Sequence, residues 1–221
     1  MSYSLAVFDF DGTLVDSEAC IRQSLARALE AHGLPVAGGI RKEWIGLPLQ
    51  AIIRSACGAV DDADVDSIIA AYRAHYAALD AELTFAFPGM IDALEALAAA
   101  GVRLAIATNK HSRPARATLD RLGLSRLFQV IVGAESVANP KPHPDLLLRV
   151  LADTGHDADA AVMIGDATVD LQMASSAGVA SCAVTWGNHS IEQLLACSPR
   201  HVVRSPAEIP RLVATKITKT V

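Results

Sequence analysis

Residues 6–17 read AVFDFDGTLVDS, a short apolar run that ends in two acids and a glycine turn. The two acids, Asp9 and Asp11, are one residue apart, so a strand ending there would direct both side chains to one spot. Carboxylates this close repel each other unless a cation neutralises them or one of them holds a proton. A hard divalent ion such as Mg²⁺, which prefers oxygen ligands, resolves the conflict most simply. One carboxylate could then attack phosphorus and the other transfer a proton, although a bare Asp-x-Asp also occurs in solvated turns.

Beyond this run, apolar strands alternate with helical patterns along most of the chain. The predicted strands comprise residues 5–10, 102–107, 130–132, 161–164, 180–184 and, more weakly, 201–203. Such alternation indicates a parallel sheet that helices cover on both faces. Between residues 17 and 83 only helical patterns occur. The sequence therefore predicts an α/β fold: a Rossmann-like, doubly wound parallel sheet core in residues 1–16 and 84–221, with an all-helical cap domain inserted at residues 17–83.

Three polar residues, Asp9, Thr108 and Asp166, directly follow predicted strands. Ligands of open α/β sheets bind beyond the carboxyl ends of the strands, so these residues are expected to converge in one crevice. Thr108 and the following Asn109 could bind phosphate oxygens through a hydroxyl and backbone amides. The same residues would also fit an ordinary helix cap.

Two further segments carry candidate site residues. Lys141 lies in NPKPHPD, residues 139–145, where three prolines restrict the backbone and present the lysine with little flexibility. Its neighbour His143, between two prolines, is interpreted as a loop residue, because one of the acids Asp9 and Asp11 could already transfer the proton. Asp166 and Asp170 lie one helical turn apart, which fits either N-terminal capping or metal binding.

Composition argues against several classes of function. The 221 residues have a formal charge of −5 and a pI of about 5.8, which argues against a nucleic-acid-binding surface. The four cysteines show no Cys-x-x-Cys spacing, so we expect reduced thiols and no zinc site. Charged residues interrupt the apolar region near residues 86–108, so no membrane span is expected, and no signal peptide is expected either. These features predict a cytoplasmic protein.

The run at residues 6–17 resembles the first motif of the haloacid dehalogenase superfamily, whose members are mostly phosphohydrolases with an aspartate nucleophile. Thr108, Lys141 and residues 165–170 resemble the second, third and fourth motifs, in the same order. The resemblance implies that Asp9 is the nucleophile and Asp11 the general acid and base. It implies phosphate binding by Thr108 and Lys141, and Asn109 is a further phosphate-binding candidate beside them. It also implies a Mg²⁺ ion held by Asp9, the backbone carbonyl of Asp11 and Asp166, with Asp170 behind these ligands or linked to the ion through water.

Within the superfamily, the opening run, the helical insertion and the Lys-Pro-His-Pro-Asp segment resemble the phosphoglycolate phosphatase branch. This implies hydrolysis of a small phosphorylated metabolite, 2-phosphoglycolate, to glycolate and phosphate. Related inorganic pyrophosphatases and sugar-phosphate phosphatases share the pattern and stay open as alternatives. A β-phosphoglucomutase-like phosphomutase is disfavoured, because Ile21 and Gly165 stand where that branch carries histidine and glutamate. A non-catalytic protein of the same fold is disfavoured because no motif acid is missing.

The predicted cap is expected to select the substrate by closing over the site. Its segment Gly46-Leu47-Pro48 is predicted to form a loop that faces the core. The cap cations that could bind a second anionic group are Arg22, Arg41, Lys42, Arg54 and Arg73. Since no apolar heptad or interface stripe is visible, we expect a monomer or a homodimer.

Overall fold

The computed structural model describes residues 3–34 and 39–213. Its strands are β1 (Leu5–Phe8), β2 (Val15–Asp16), β3 (Phe85–Ala86), β4 (Arg103–Thr108), β5 (Phe128–Gly133), β6 (Ala161–Gly165), β7 (Ala180–Val184) and β8 (His201–Val203). Its α-helices are α1 (Glu18–Ala31), α2 (Leu49–Cys57), α3 (Asp62–Leu83), α4 (Met90–Ala99), α5 (Ser112–Arg121), α6 (Asp145–Thr154), α7 (Thr168–Ser176), α8 (Ile191–Ala196) and α9 (Ile209–Val213). Within the described ranges, none of the helices combines the length and the apolar character needed to cross a bilayer.

Six strands form one parallel sheet in the order β5-β4-β1-β6-β7-β8. The central strand is β1, in which Phe8 pairs with Ile106 of β4 on one side and Ile164 of β6 on the other. From β1 the chain builds the sheet first towards β5 and then, in the opposite direction, towards β8. A topological switch point therefore lies between β1 and β6. The predicted α/β fold with a Rossmann-like parallel sheet is confirmed.

Alternate residues of β1 contribute to two hydrophobic cores, one on each face of the sheet. Ala6 and Phe8 belong to the first core, together with Leu94 and its neighbours on α4. Leu5 and Val7 belong to the second core, which residues of α6 and α7 complete. Because both faces are covered, all four residues of the strand are apolar and buried.

The strand β1 is shorter than predicted. It ends at Phe8 rather than at residue 10, because the chain then enters a tight turn. In this turn the carbonyl oxygen of Phe10 accepts backbone hydrogen bonds from Leu14 and Val15, at 3.0 and 3.2 Å. Gly12 has a φ of 88°, a left-handed conformation that glycine adopts without the penalty of a Cβ.

A two-stranded antiparallel ribbon, which the sequence does not predict, joins the two ends of the helical segment. Val15 of β2 pairs with Ala86 of β3, and Asp16 pairs with Phe85. Each strand has only 2 residues, too few to produce a periodic pattern.

The helices α1, α2 and α3 and their connecting loops form what we call the helical layer, in residues 17–34 and 39–83. No strand occurs in these ranges, as the sequence predicts. Leu25 of α1, Ile53 of α2 and Ile68 of α3 share a hydrophobic cluster that is separate from the two cores beside the sheet. The division into a core and a cap domain, with its boundaries, stays a prediction.

Replacement of Leu94 by alanine is expected to destabilise the protein strongly. Leu94 is buried in the first core, and truncation of a buried leucine costs about 2–5 kcal/mol through lost transfer energy and the cavity left behind. The matched control Leu148→Ala alters a side chain that is 47% exposed, so its effect should stay within about 0.5 kcal/mol. Urea unfolding measures both. Equal losses of stability would contradict the packing described above.

Candidate active site

Neighbouring strands bring three of the predicted site residues to one edge of the sheet. Asp9 follows β1, Thr108 ends β4 and Asp166 follows β6, and all three side chains are buried. The backbone N–H of Asp9 donates to the carbonyl of Ile164 at 2.9 Å, which holds this residue at the switch point. The structure thus places these residues around one crevice, as the strand topology predicts.

Lys141 forms two buried ion pairs. Its Nζ lies 2.6 Å from Oδ1 of Asp9 and 2.7 Å from Oδ1 of Asp170. Burial alone would lower the pKa of this ammonium group, but Asp170 and Asp9 outweigh burial and raise it. Its backbone N–H also donates to Oδ1 of Asn109 at 2.9 Å. Lys141 is therefore a fixed, charged group in the crevice rather than a solvated surface lysine.

Asp9, Asp166 and Asp170 form a carboxylate cluster, in which one oxygen of each residue lies within 4.8 Å of the others. Burial, with added repulsion from Asp170 and Asp166, raises the pKa of Asp9 to about 8 despite the opposing effect of Lys141. Burial, followed by repulsion from Asp170, raises the pKa of Asp166 to about 6. When all three acids are ionised, Lys141 offsets only one of their charges. Two negative charges then lack compensation within the cluster.

This set of donors fits a divalent cation. The three carboxylates supply hard oxygen ligands, and the uncompensated charge equals that of one dication. The backbone also approaches Asp166 closely: a Cβ at Gly12 or Gly187 would overlap its side chain, so both positions require glycine.

Thr13 and Asn188 hold the Asp166 carboxylate in place. Oγ1 of Thr13 donates to Oδ1 at 2.7 Å, and the backbone N and Nδ2 of Asn188 donate to Oδ2 at 2.7 and 2.9 Å. These hydrogen bonds favour the ionised carboxylate and fix its orientation. Neither partner is predicted from the sequence. Thr13 could have been suspected from its place in the opening run, but nothing near Asn188 in the sequence points to Asp166.

The carboxylate of Asp11 has its own partners, outside the carboxylate cluster. Oδ1 accepts a hydrogen bond from Oγ of Ser17 at 2.7 Å, and Nζ of Lys110 lies 3.1 and 3.2 Å from the two carboxylate oxygens. The same Nζ lies 3.7 Å from the ring centroid of Tyr76 on α3, a cation–π contact with the helical layer. Burial would lower the pKa of Lys110, but Asp11 and then Tyr72 raise it. The buried ammonium group of Lys110 thus holds the Asp11 carboxylate at the crevice.

No role was predicted for Lys110, although it directly follows Asn109 at the end of β4. Its partner Asp11 is 99 positions earlier in the chain, so the pair becomes visible only when β1 and β4 lie side by side. One feature of the sequence could have indicated a role for Lys110: it lies in the Thr108-Asn109-Lys110 segment, at the edge of the sheet where ligands bind.

Asn109 connects the two sides of the crevice. Its Nδ2 donates to the carbonyl of Gly46 at 2.8 Å, while its Oδ1 accepts from the backbone of Lys141. The loop at Gly46-Leu47-Pro48 therefore faces the core, as predicted. Both ends of the Asn109 amide have protein partners, and its predicted contact with phosphate stays a prediction. Thr108 accepts a hydrogen bond from the backbone of Lys110 at 3.1 Å.

A cavity of about 900 Å³ lies between the strand ends and the helical layer. Asp9, Asp11, Thr108 and Lys110 line it from the core side. Among the five predicted cap cations, Arg73 lines this cavity, with its Nη2 at 2.8 Å from Nε2 of His111. The other four pair with acids of the helical layer: Arg22 and Lys42 with Glu18, Arg41 with Glu43, and Arg54 with Asp62. His143 lies on a loop, as predicted, with Nδ1 at 2.7 Å from Asp145.

Comparison with known proteins agrees with this geometry. A family model described as haloacid dehalogenase-like hydrolase matches residues 6–184, which include all four motif segments. The chain belongs to this family. Phosphatases of the family generally use a divalent metal, and the carboxylate cluster fits one.

Individual relatives are similar over most of their length. "Probable phosphatase IndB" of Dickeya dadantii is 37% identical over 210 residues, which cover 93% of this chain and 91% of the relative. A phosphoglycolate phosphatase of Pseudomonas putida is 34% identical over 206 residues, covering 90% and 75%. A haloacid dehalogenase-like family hydrolase from Streptococcus pneumoniae superposes with a TM-score of 0.83 at 26% identity, covering 94% and 96%. The resemblance to the phosphoglycolate phosphatase branch is confirmed, as is the expected enzyme class, a phosphoric monoester hydrolase.

Mg²⁺ is expected to stabilise the folded protein through the carboxylate cluster. A ligand that binds only the folded state adds about 2.7 kcal/mol at 100 times its Kd. Asp166→Asn removes one of the crowded charges. The metal-free variant should therefore be at least as stable as the wild type, while Mg²⁺ should no longer raise its Tm. Thermal unfolding in EDTA and in Mg²⁺ measures both effects.

The matched control is Asp92→Asn, an exposed position on α4, which should keep the full response to Mg²⁺. A wild-type Tm that did not respond to Mg²⁺ would refute a metal site in this cluster.

Proposed function

We propose that this chain is a Mg²⁺-dependent phosphatase that hydrolyses a small phosphomonoester through an aspartyl-phosphate on Asp9. The observation that carries the proposal is the position of Asp9 at the switch point of the sheet, 2.6 Å from the buried ammonium of Lys141 and inside a carboxylate cluster that fits a dication. A phosphoryl group with its own negative charges requires local positive charge in a protein whose net charge is −5, and Lys141 together with a dication in the cluster would supply it.

The proposed reaction proceeds in two halves. In the first, a carboxylate oxygen of Asp9 attacks phosphorus, the bond from phosphorus to the leaving oxygen breaks, and Asp11 gives that oxygen its proton. In the second, ionised Asp11 takes a proton from water, the water oxygen attacks phosphorus, and the bond to Asp9 breaks to release phosphate. Thr108 and Lys141 bind the phosphoryl oxygens in both halves.

Asp9, Asp166 and the backbone carbonyl of Asp11 would hold Mg²⁺ directly, with Asp170 beside them. When bound, the ion supplies positive charge that neutralises the phosphoryl oxygens. Asp170 is ion-paired with Lys141, and its Oδ2 accepts from the backbone N–H of Ala167 at 3.0 Å. Asp170 therefore also keeps Lys141 directed at the nucleophile.

The substrate that we propose is 2-phosphoglycolate, because several relatives carry the name phosphoglycolate phosphatase. Inorganic pyrophosphate and sugar phosphates are the alternatives. We further propose a cytoplasmic location, which suits the free thiols of Cys20, Cys57, Cys182 and Cys197, and a monomer or homodimer without nucleic-acid or membrane partners.

Asp9→Asn is expected to abolish turnover, because an amide lacks the charge and nucleophilicity of a carboxylate. The assay measures phosphate release with Mg²⁺ or EDTA present, from 2-phosphoglycolate, pyrophosphate, sugar phosphates and nucleotides, and compares kcat/KM. The wild type should release phosphate only with metal and should prefer 2-phosphoglycolate.

The control for this assay is Asp157→Asn, at a position outside the cavity lining and the carboxylate cluster, which should behave as the wild type. Wild-type activity in Asp9→Asn would disprove the role of this residue. A preference for pyrophosphate or a sugar phosphate would overturn the substrate and leave the enzyme class intact.

Lys110→Met is expected to slow the second half of the reaction. The Nζ of Lys110 lies 3.1 Å from Oδ1 of Asp11 and orients the carboxylate that must remove a proton from water. Loss of this support should lower kcat by about tenfold or more, within the ~10²–10⁴ that general acid–base catalysis contributes, and change KM little. Rapid-mixing kinetics should show a burst of released alcohol as the phosphorylated enzyme accumulates.

Lys110→Arg keeps the charge and should recover part of kcat. The matched control is Lys42→Met, because Lys42 forms a half-exposed ion pair with Glu18 outside the crevice. This variant should leave kcat unchanged. Unchanged kcat in Lys110→Met would show that the ion pair with Asp11 has no part in turnover.

A further inference from the structure

The cavity extends well beyond the groups that contact a phosphoryl group. Its volume of about 900 Å³ is at the upper end of the range for drug-sized ligands, and 2-phosphoglycolate has only two carbon atoms. The part that Asp9, Asp11, Thr108 and Lys110 line is the phosphoryl end. We call the remainder, against the helical layer, the distal chamber.

The wall of the distal chamber is mostly hydrocarbon. Three elements of the helical layer supply it: α1, the loop before α2 together with the start of α2, and α3. Its apolar members include Leu47, Leu49, Ile52, Tyr72, Tyr76 and Ala77. Leu47, Leu49 and Tyr72 are only half-buried, so their surfaces are available to a ligand.

The charged groups that the helical layer adds to this wall have partners on the core. Asp80 accepts hydrogen bonds from Thr118 and Arg121, at 2.8 and 3.0 Å. Arg73 contacts His111 at 2.8 Å. On the core side, Lys110 is paired with Asp11, while the exposed Arg113 of α5 is part of the lining. Glu135, which accepts a hydrogen bond from the backbone of Ser112, also lines the cavity. A ligand in the chamber therefore meets apolar surface over most of its area, with charged groups of both signs to one side.

We propose that the distal chamber binds an apolar leaving group, so that the enzyme hydrolyses phosphomonoesters of alcohols with an extended hydrocarbon body. The inference rests on the proposed phosphatase function and adds a substrate class to 2-phosphoglycolate. Its physical basis is the removal of hydrocarbon from water against Leu47, Leu49 and Tyr72. A two-carbon alcohol leaves this surface in contact with solvent, and a longer chain covers it.

A series of n-alkyl phosphates, from ethyl to hexyl phosphate, tests the inference with Mg²⁺ present. These esters share the same reacting bond and nearly the same leaving-group basicity, so they differ mainly in apolar area. The value of kcat/KM should rise about fourfold for each added methylene, as full burial of one methylene predicts. A flat or falling series overturns the inference. Phosphate release from 2-phosphoglycolate, pyrophosphate or a sugar phosphate but from none of the alkyl esters also overturns it, whereas no release from any of these compounds means that the proposed phosphatase function itself fails.

Substitutions in the wall test whether the rise of kcat/KM with chain length depends on the distal chamber. Leu49→Gln places a polar group of similar size in the wall and should flatten the dependence of kcat/KM on chain length. Its matched control is Leu148→Gln, an exposed leucine outside the cavity, which should keep the wild-type slope.

A second pair of variants tests the same contact in case Leu49→Gln does not fold. Ala77 is exposed and lines the cavity, whereas the adjacent Ala78 is exposed and outside the lining. Ala77→Gln should reduce the slope and Ala78→Gln should not. A wild-type slope in both Leu49→Gln and Ala77→Gln, with Tm values showing folded proteins, would place the apolar contact elsewhere and overturn the assignment.

Discussion

Two buried ion pairs hold the candidate active site together: the ammonium of Lys141 lies between Asp9 and Asp170. Removing three charged groups from water is costly, and the mutual attraction compensates only in close geometry. The interaction joins three distant parts of the chain, namely the end of β1, the proline-rich segment and the first turn of α7. Among the residues that the structure describes, Lys141 is the cation that forms ion pairs with the carboxylate cluster. The same arrangement that fits a dication thus also fixes the carboxylate of Asp9 at the switch point of the sheet.

The helical layer is linked to this chemistry through few groups. Asn109 bridges Gly46 and Lys141, and Lys110 lies between the ring of Tyr76 and the carboxylate of Asp11. Both residues stand directly after β4, so one strand end contacts the helical layer and the acids together. A displacement of α3 or of the loop at Gly46 would therefore alter the contacts of both Asp11 and Lys141. The family relationship accounts for the motif residues; these connections come from the geometry of this chain.

Much of the fold and of the site could be predicted because the responsible signals are local. Continuous apolar runs indicate strands buried on both faces, and acids directly after them lie where parallel strands bind ligands. What could not be predicted depends on contacts between distant residues. The β2–β3 ribbon is too short for a pattern, the end of β1 is set by a turn at Gly12, and Lys110 and Asn188 acquire their partners only in the folded chain. The apolar wall of the cavity could not be predicted for the same reason, since the pattern of its residues equally indicates helices packed against one another.

The β2–β3 ribbon brings the residues that enter the helical layer next to those that leave it. An insertion whose two ends emerge side by side imposes little strain on its host, because its length and shape can change without moving the strands beneath. The sheet that carries the carboxylate cluster and the helical layer that lines the cavity can therefore evolve separately. One ancestral sheet could in this way acquire new substrate specificities through changes in the helical layer alone.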